Sequence, residues 1–410
     1  MKVLPVISLK LYEDAIGEEM TNKIREEASE LSEYTAAHIN STYQGGGVAE
    51  ILNSLIILLN DVGVRTDWRV LHGDLDFFTI TKKFHNALQG EKINFSNKKK
   101  ELYFINNVNN AIFTHLNHDF IVVHDPQPLP IISCYEKKQP WIWRCHIDIT
   151  SPYQPLWQYL KTFISAYDLM LISMEEFRDK SAQTNIPYRV IKPSVDPQNI
   201  KNRSISSSTV QKYLSKSGIE PDKPIISQVS RFDKWKDPEG MVKIFKIIKQ
   251  KIDCQLILVG SMATDDPEGQ EVFEKLEKIV EQEKDIHLIM NAADIAINAI
   301  QRASSVIIQK SLREGFAITV SEALWKKTPV VASNIGGIPS QIIDGKNGFL
   351  LNPTDYQGFA NRISYLLNHP KKAKEMGTFG KKYVKDNFLI TRHLLDYIRL
   401  FKDLKNKKLT

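Results

Sequence analysis

The chain has 410 residues, 42% hydrophobic and 25% charged, with a formal net charge of +6. Its length exceeds one ordinary core and predicts two domains of roughly 150–200 residues each. No apolar run approaches the ~18–20 residues of a membrane span, and the N-terminus, with Glu13 and Asp14 close behind it, does not read as a secretory leader.

The expectation is therefore a cytoplasmic protein that does not engage a membrane. Cys134, Cys145 and Cys254 form no C-x-x-C pair, which argues against a disulfide framework or a zinc knuckle. The basic clusters at Lys98–Lys100 and Lys402–Lys408 lack interleaved aromatics, so no nucleic-acid partner is expected.

Strand-like and helix-like segments then alternate. The first half offers strands at Thr35–Asn40, Thr66–Leu71, Phe120–His124, Trp141–Ile147, Leu169–Ser173 and Tyr188–Lys192. Between the first two, Val48, Ile51, Leu52, Leu55, Leu58 and Leu59 recur at helical spacing. This helix is preceded by Gly45-Gly46-Gly47. Three adjacent glycines are entropically costly to order and suit a close approach of something to the backbone. The segment Phe77–Leu88 predicts a second helix, with Thr81, Lys82, His85 and Asn86 on one face; that face is either solvated or lines a cleft. His146 ends the fourth strand. Asp148 would share its side of an extended chain, and Trp141 and Trp143 offer flat surfaces for sugar rings.

The serine-rich stretch Asn202–Thr209 and Glu220-Pro221-Asp222-Lys223-Pro224 mark a boundary. The second half restarts the alternation with strands at Ile225–Val229, Gln255–Val259, Asp285–Met290, Ser305–Ile308 and Pro329–Ala332. Continuous apolar strands of this kind suit a parallel sheet buried on both faces. The fold class is thus α/β, with two such units and a cleft between them.

Three stretches of the second half carry chemistry. In S-R-F-D-K-W-K-D-P, Arg231 and Lys236 place two positive charges at a strand end, suited to a pyrophosphate. In K-S-L-R-E-G-F-A-I-T-V-S-E-A-L-W, a helix begins at Ile318. Its first amides, of Ile318, Thr319 and Val320, would lack backbone partners and attract phosphate. Glu314 and Glu322 would repel phosphate but could accept hydrogen bonds from hydroxyls flanking it. Gly336-Gly337 allows close backbone approach, while Asp344-Gly345 and Asn347-Gly348 read as turns. No Walker, G-x-G-x-x-G, G-x-S-x-G or H-E-x-x-H pattern is present.

In this order and spacing, Q-G-G-G-V-A-E, the S-R-F-D-K-W-K loop, E-G-F-A-I-T-V-S-E and G-G-I-P resemble the family-4 retaining glycosyltransferases. Within that family, H-I-N-S-T-Y-Q-G-G-G-V-A-E, F-F-T-I-T-K-K-F-H-N-A-L-Q-G, H-D-P-Q-P and W-R-C-H-I-D resemble the trehalose synthases and trehalose phosphorylases. The resemblance implies the GT-B fold, two Rossmann-like domains whose parallel sheets face a central cleft. Residues 1–215 would bind the acceptor and 216–388 the nucleotide-sugar donor, with a helix at about 389–410 packing back on the first domain. It implies glucosyl transfer from UDP-, ADP- or GDP-glucose to free glucose. The alternatives are a phosphorylase, a nucleotide-sugar epimerase or a non-catalytic sensor.

Residue roles follow from the same resemblance. Arg231 and Lys236 would neutralise the departing diphosphate. Glu322 would hold the ribose, Glu314 the donor sugar, and Gly45, Gly46 and Gly47 would lie under the diphosphate. His146 would sit beside the anomeric centre, and Lys82, Asn86 and Asp125 are acceptor candidates. No cofactor or metal would be required, with Mg2+ at most a stimulant. The expected partners are nucleotide sugar, glucose and trehalose, and a homodimer is a candidate assembly.

Overall fold

The apolar strands need cover on both faces, and helices on each side of a parallel sheet supply it. The computed structural model describes residues 7–43, 46–177, 186–261 and 268–407. The chain divides into two units, Met1–Ser194 with Ile390–Thr410, and Val195–Leu389. Each holds one six-stranded sheet, in which every described pairing is parallel. Among the described residues no helix is long and apolar enough to cross a membrane.

Unit 1 contains β1 (Thr35–Asn40), β2 (Arg65–Val70), β3 (Phe120–His124), β4 (Trp141–Arg144), β5 (Leu169–Ile172) and β6 (Tyr188–Val190), ordered β2-β1-β3-β4-β5-β6. The order reverses between β1 and β3. In open parallel sheets ligands bind at the strands' carboxyl ends beside such a reversal. Here those ends carry the segment after Asn40 and the pair His124-Asp125. The core packs Phe77, Phe84, Tyr103, Trp141, Trp143 and Trp157.

Unit 2 contains β7 (Ile225–Arg231), β8 (Gln255–Ser261), β9 (Ile286–Met290), β10 (Val306–Gln309), β11 (Val330–Ser333) and β12 (Gly348–Leu351), ordered β12-β11-β10-β7-β8-β9. Its reversal lies between β7 and β10, so Arg231 and the residues after Gln309 stand at the switch point.

Several expectations are corrected. The fourth strand stops at Arg144, not Ile147. Cys145 N–H still donates to Leu171 O at 2.9 Å, and the main chain then turns, with the Asp148 carboxylate accepting from Thr150 N and Oγ1 at 3.0 and 2.7 Å. The expected pairing of His146 and Asp148 on one extended face is lost. Trp141 and Trp143 are fully buried, so they are core and not sugar platforms.

The serine run is not a linker either. Ser206 caps the helix Ser207–Lys216, its Oγ accepting from Thr209 N at 3.2 Å, and the expected boundary at 215/216 falls inside that helix. The chain leaves unit 1 at Ser194. The next segment is already fastened to unit 2: Asn298 Nδ2 donates to Ile200 O and Arg203 O at 2.7 and 2.9 Å, and Lys326 Nζ donates to Asn202 Oδ1 at 2.6 Å.

The helix Ile390–Lys405 belongs to unit 1. It packs on the helices Glu18–Ser29 and Gly46–Asp61, with Arg399 paired to Glu27 at 2.7 Å and Lys402 to Glu30 at 2.7 Å.

Candidate active site

In unit 2 the loop after β7 is fixed from within. The Asp233 carboxylate accepts from Trp235 N and Lys236 N at 2.7 and 3.1 Å, and Gln228 Nε2 donates to Lys236 O at 2.8 Å. The loop is also tied to the segment after β10. Leu312 N donates to Trp235 O at 2.7 Å, and the Arg313 guanidinium lies 4.4 Å from the Trp235 ring centre. Lys310, fully buried, pairs with Asp237 and stands over the Tyr356 ring.

This framework sets Lys236 against Glu314, Nζ to Oε2 at 2.5 Å, with both side chains largely buried. The same oxygen accepts from Gln309 Nε2 and Ser311 Oγ, each at 3.0 Å. Gln309 in turn accepts from Thr319 Oγ1 at 2.8 Å. Glu314 is therefore a hub that orients Lys236. An ammonium has three N–H donors, and the Glu314 contact uses one. Arg231 is 40% exposed and lies 3.6 Å from Asp233.

The helix Ile318–Trp325 starts after Ala317, which adopts the left-handed conformation (φ 61°) and offers no side-chain cap. Val320 N donates to Ala317 O at 3.0 Å, so the expectation of a free Val320 amide is corrected. Ile318 and Thr319 N–H find no partner among the described residues. Glu322, on the same helix, is 2% exposed, and its carboxylate makes no hydrogen bond among the described residues. Its acceptor sites are thus open to donors from outside the protein, such as hydroxyls.

Gly336 (φ 51°) does approach backbone closely, but the backbone is the protein's own. A Cβ there would collide with the Glu314 carbonyl, and Gly337 N donates to Gly315 O at 2.6 Å. The Gly345 turn is as expected, with φ 74° and its N–H on Gly348 O at 2.8 Å.

In unit 1, Gly45 lies outside the described residues. Gly46 (φ 80°) and Gly47 open the helix Gly46–Asp61. A Cβ on Gly46 would meet nothing within 4 Å, so its constraint is conformational and no protein atom crowds it. Lys82 is half-buried and Asn86 is buried on the helix Leu75–Leu88. Most of the polar face drawn from the sequence is thus not solvated: Thr81 is 1% exposed.

Asp125, also in the left-handed region (φ 61°), accepts from His146 N at 2.8 Å through Oδ1. Its carbonyl accepts from Trp143 Nε1 at 3.0 Å. Burial pushes its carboxyl up to about 7, against the pull of the His146 N–H and the Arg144 charge. Arg144 is fully buried and donates to Ile191 O at 2.7 Å.

The histidine group was missed as a group. His38 Nδ1 lies 2.9 Å from His124 Nε2, and His124 Nδ1 lies 3.0 Å from His146 Nε2. His38 and His124 sit in motifs quoted above, but only strand pairing shows that they adjoin. Gln309, Lys310, Ser311 and Asp237 were also missed; each acts through a neighbour, so composition gives no signal of it.

Two parallel-sheet units, with basic residues and helix-start amides at the switch point of one, define a GT-B glycosyltransferase. The sequence matches the family model "Trehalose synthase, N-terminal domain" over residues 38–179 and "Glycosyl transferases group 1" over 210–383. A trehalose synthase of Pyrococcus horikoshii is 43% identical over 402 residues, covering 97% of this chain and 96% of that one. The chain belongs to the trehalose synthase family, and its activity is that of a trehalose-related glycosyltransferase. A trehalose phosphorylase of Pleurotus pulmonarius is 26% identical over 94% of this chain but only 59% of its own. Among solved structures, the sucrose-phosphate synthase of Thermosynechococcus elongatus superposes with a TM-score of 0.72 at 18% identity, covering 91% of this chain and all of that one, which supports the GT-B fold.

Proposed function

We propose that the protein transfers glucose from a nucleoside-diphosphate glucose to the anomeric hydroxyl of free glucose, giving α,α-trehalose with retention. The observation that carries this reading is the Ile318–Trp325 helix. It offers two amides without protein partners at its start, for a phosphate, and the buried, unpartnered Glu322 for a sugar or ribose hydroxyl. A nucleotide sugar presents both groups side by side.

On this reading unit 2 holds the donor. Breaking the glucosyl–phosphate bond builds positive charge at the anomeric carbon and negative charge on the diphosphate. Lys236, oriented by Glu314, and Arg231 take up the latter, as preorganised charges do for developing anions. The acceptor hydroxyl attacks from the face the diphosphate leaves, and its proton passes to a departing phosphate oxygen. Unit 1 holds the acceptor, with Asp125, Lys82 and Asn86 as its candidates, and His146 beside the transferred sugar. The two basic side chains supply the charge, so no metal is required; EDTA should leave turnover unchanged.

The test is incubation with UDP-, ADP- and GDP-glucose, with and without glucose, with products identified by NMR. Trehalose in the α,α form, only when both substrates are present, is the expected result. Trehalose cleavage by inorganic phosphate alone, giving glucose 1-phosphate, would replace this reading with a phosphorylase.

A further inference from the structure

The three histidines of unit 1 form a chain running inward from His146. His146 is half-buried, and its Nδ1 makes no hydrogen bond among the described residues. At the other end His38 is fully buried, and its Nε2 has no partner. Tyr397 and Phe401, from the helix Ile390–Lys405, lie over its ring at centroid distances of 5.4 and 6.5 Å. Burial holds all three rings neutral: it lowers His38 to about 3, and His124 and His146 well below the ordinary range, with the Arg144 charge adding to the effect on both.

Neutrality fixes the proton count. A neutral imidazole has one N–H and one lone pair, and each N···N contact must hold one of each. That is met only if all three rings are the same tautomer, all Nδ1–H or all Nε2–H. Any mixture puts two lone pairs or two protons face to face. The ends decide between the two sets. With Nε2–H throughout, His38 would bury an orphaned donor; with Nδ1–H throughout, it leaves only an unmet lone pair, the less rare defect in folded proteins.

We propose that His38 and His124 are positioning residues that lock His146 as the Nδ1–H tautomer, so that its free edge is a hydrogen-bond donor to a sugar oxygen and not a base. The sugar as recipient rests on the function proposed above; the tautomer lock does not. Reversing His146 requires moving all three protons together, so the donor is preorganised in the sense that favours transition-state stabilisation.

The experiment is two-bond 1H–15N correlation NMR on protein carrying 15N-histidine, ten residues in all, with assignment by single substitutions. His38, His124 and His146 should all read Nδ1–H near neutral pH. An Nε2–H tautomer or a mixture at His146 in the wild-type protein would overturn the proposal, whether or not trehalose is formed.

Kinetics give the second arm. His38→Phe removes the terminal donor, while His38→Asn places an amide N–H near the former Nδ1. The Phe variant should show mixed tautomers at His146. Its kcat should fall roughly tenfold, well short of the 10²–10³ cost of deleting a direct donor, with KM for the nucleotide sugar unchanged. Asn should restore both. A folded Phe variant with wild-type kcat and a pure Nδ1–H His146 would sink the lock; if that variant does not fold, the wild-type spectrum decides alone.

Discussion

The two switch points solve the same placement problem with opposite chemistry. In unit 2 the strand ends carry full charges set against one another, Lys236 with Glu314 and Lys310 with Asp237. In unit 1 they carry imidazoles kept neutral by burial and a carboxyl pushed up to about 7. Charges close to an anionic ligand are worth most where water is scarce, whereas an uncharged sugar gains little from them and is better met by oriented neutral donors and acceptors. The ionic edge therefore suits the diphosphate and the neutral edge the sugar. The difference lies in side chains, not architecture.

The most damaging way to test that contrast is to discharge unit 2. Lys236→Ala removes a charge and frees Glu314 from its partner. Turnover should fall by roughly 10²–10³, with Arg231→Ala falling by about 10², both read as kcat/KM for the nucleotide sugar. Near-normal turnover in both would remove the ionic half of the comparison.

A smaller loss is expected from Glu322→Gln. The amide keeps the shape but weakens acceptance from hydroxyls. Donor affinity should drop about tenfold, in keeping with ~1.5 kcal/mol for a charged hydrogen bond, while KM for glucose is unchanged. Equal effects on both substrates would mean that Glu322 is not confined to the donor.

The mildest effect belongs to unit 1 and concerns stability. Between the ordinary carboxyl value of 3.8 and about 7, folded Asp125 keeps a proton that the unfolded chain has released. The contribution of Asp125 to stability therefore declines as pH rises through that window. Asp125→Asn should flatten the decline by about 1 kcal/mol per pH unit, measured as urea midpoints from pH 4.5 to 7.5. An unchanged slope would show that the carboxyl is not held protonated.

How far these features were legible depends on how local their causes are. β1 and β3 match the sequence reading residue for residue, because short apolar runs between polar flanks set them. The glycine at 46 and the basic pair at 231 and 236 were visible as residue types at strand ends. What failed was non-local. The strand-like pattern after Trp141 runs to Ile147, yet the strand ends at Arg144 and the chain turns near Asp148, which pattern alone cannot show. Ser206 reads as linker composition until its hydroxyl is seen capping a helix. His38 and His124 stand 86 positions apart, and only the strand order makes them neighbours. Gly336 was rightly singled out for close approach, but the object approached is the Glu314 carbonyl, so the glycine acts on the site through the loop it supports.

The helix Ile390–Lys405 imposes a schedule on synthesis. Domains fold as units during translation, N-terminal first, but this chain cannot follow that order. The aromatic lid over His38, Tyr397 and Phe401, leaves the ribosome after the whole of unit 2. Unit 2, one uninterrupted stretch from Val195 to Leu389, can complete itself first, while His38 in the earlier-made sheet waits for Tyr397 and Phe401. The half of the molecule begun first is the half finished last, and a chain released just after Leu389 would hold the whole of its second unit but not of its first.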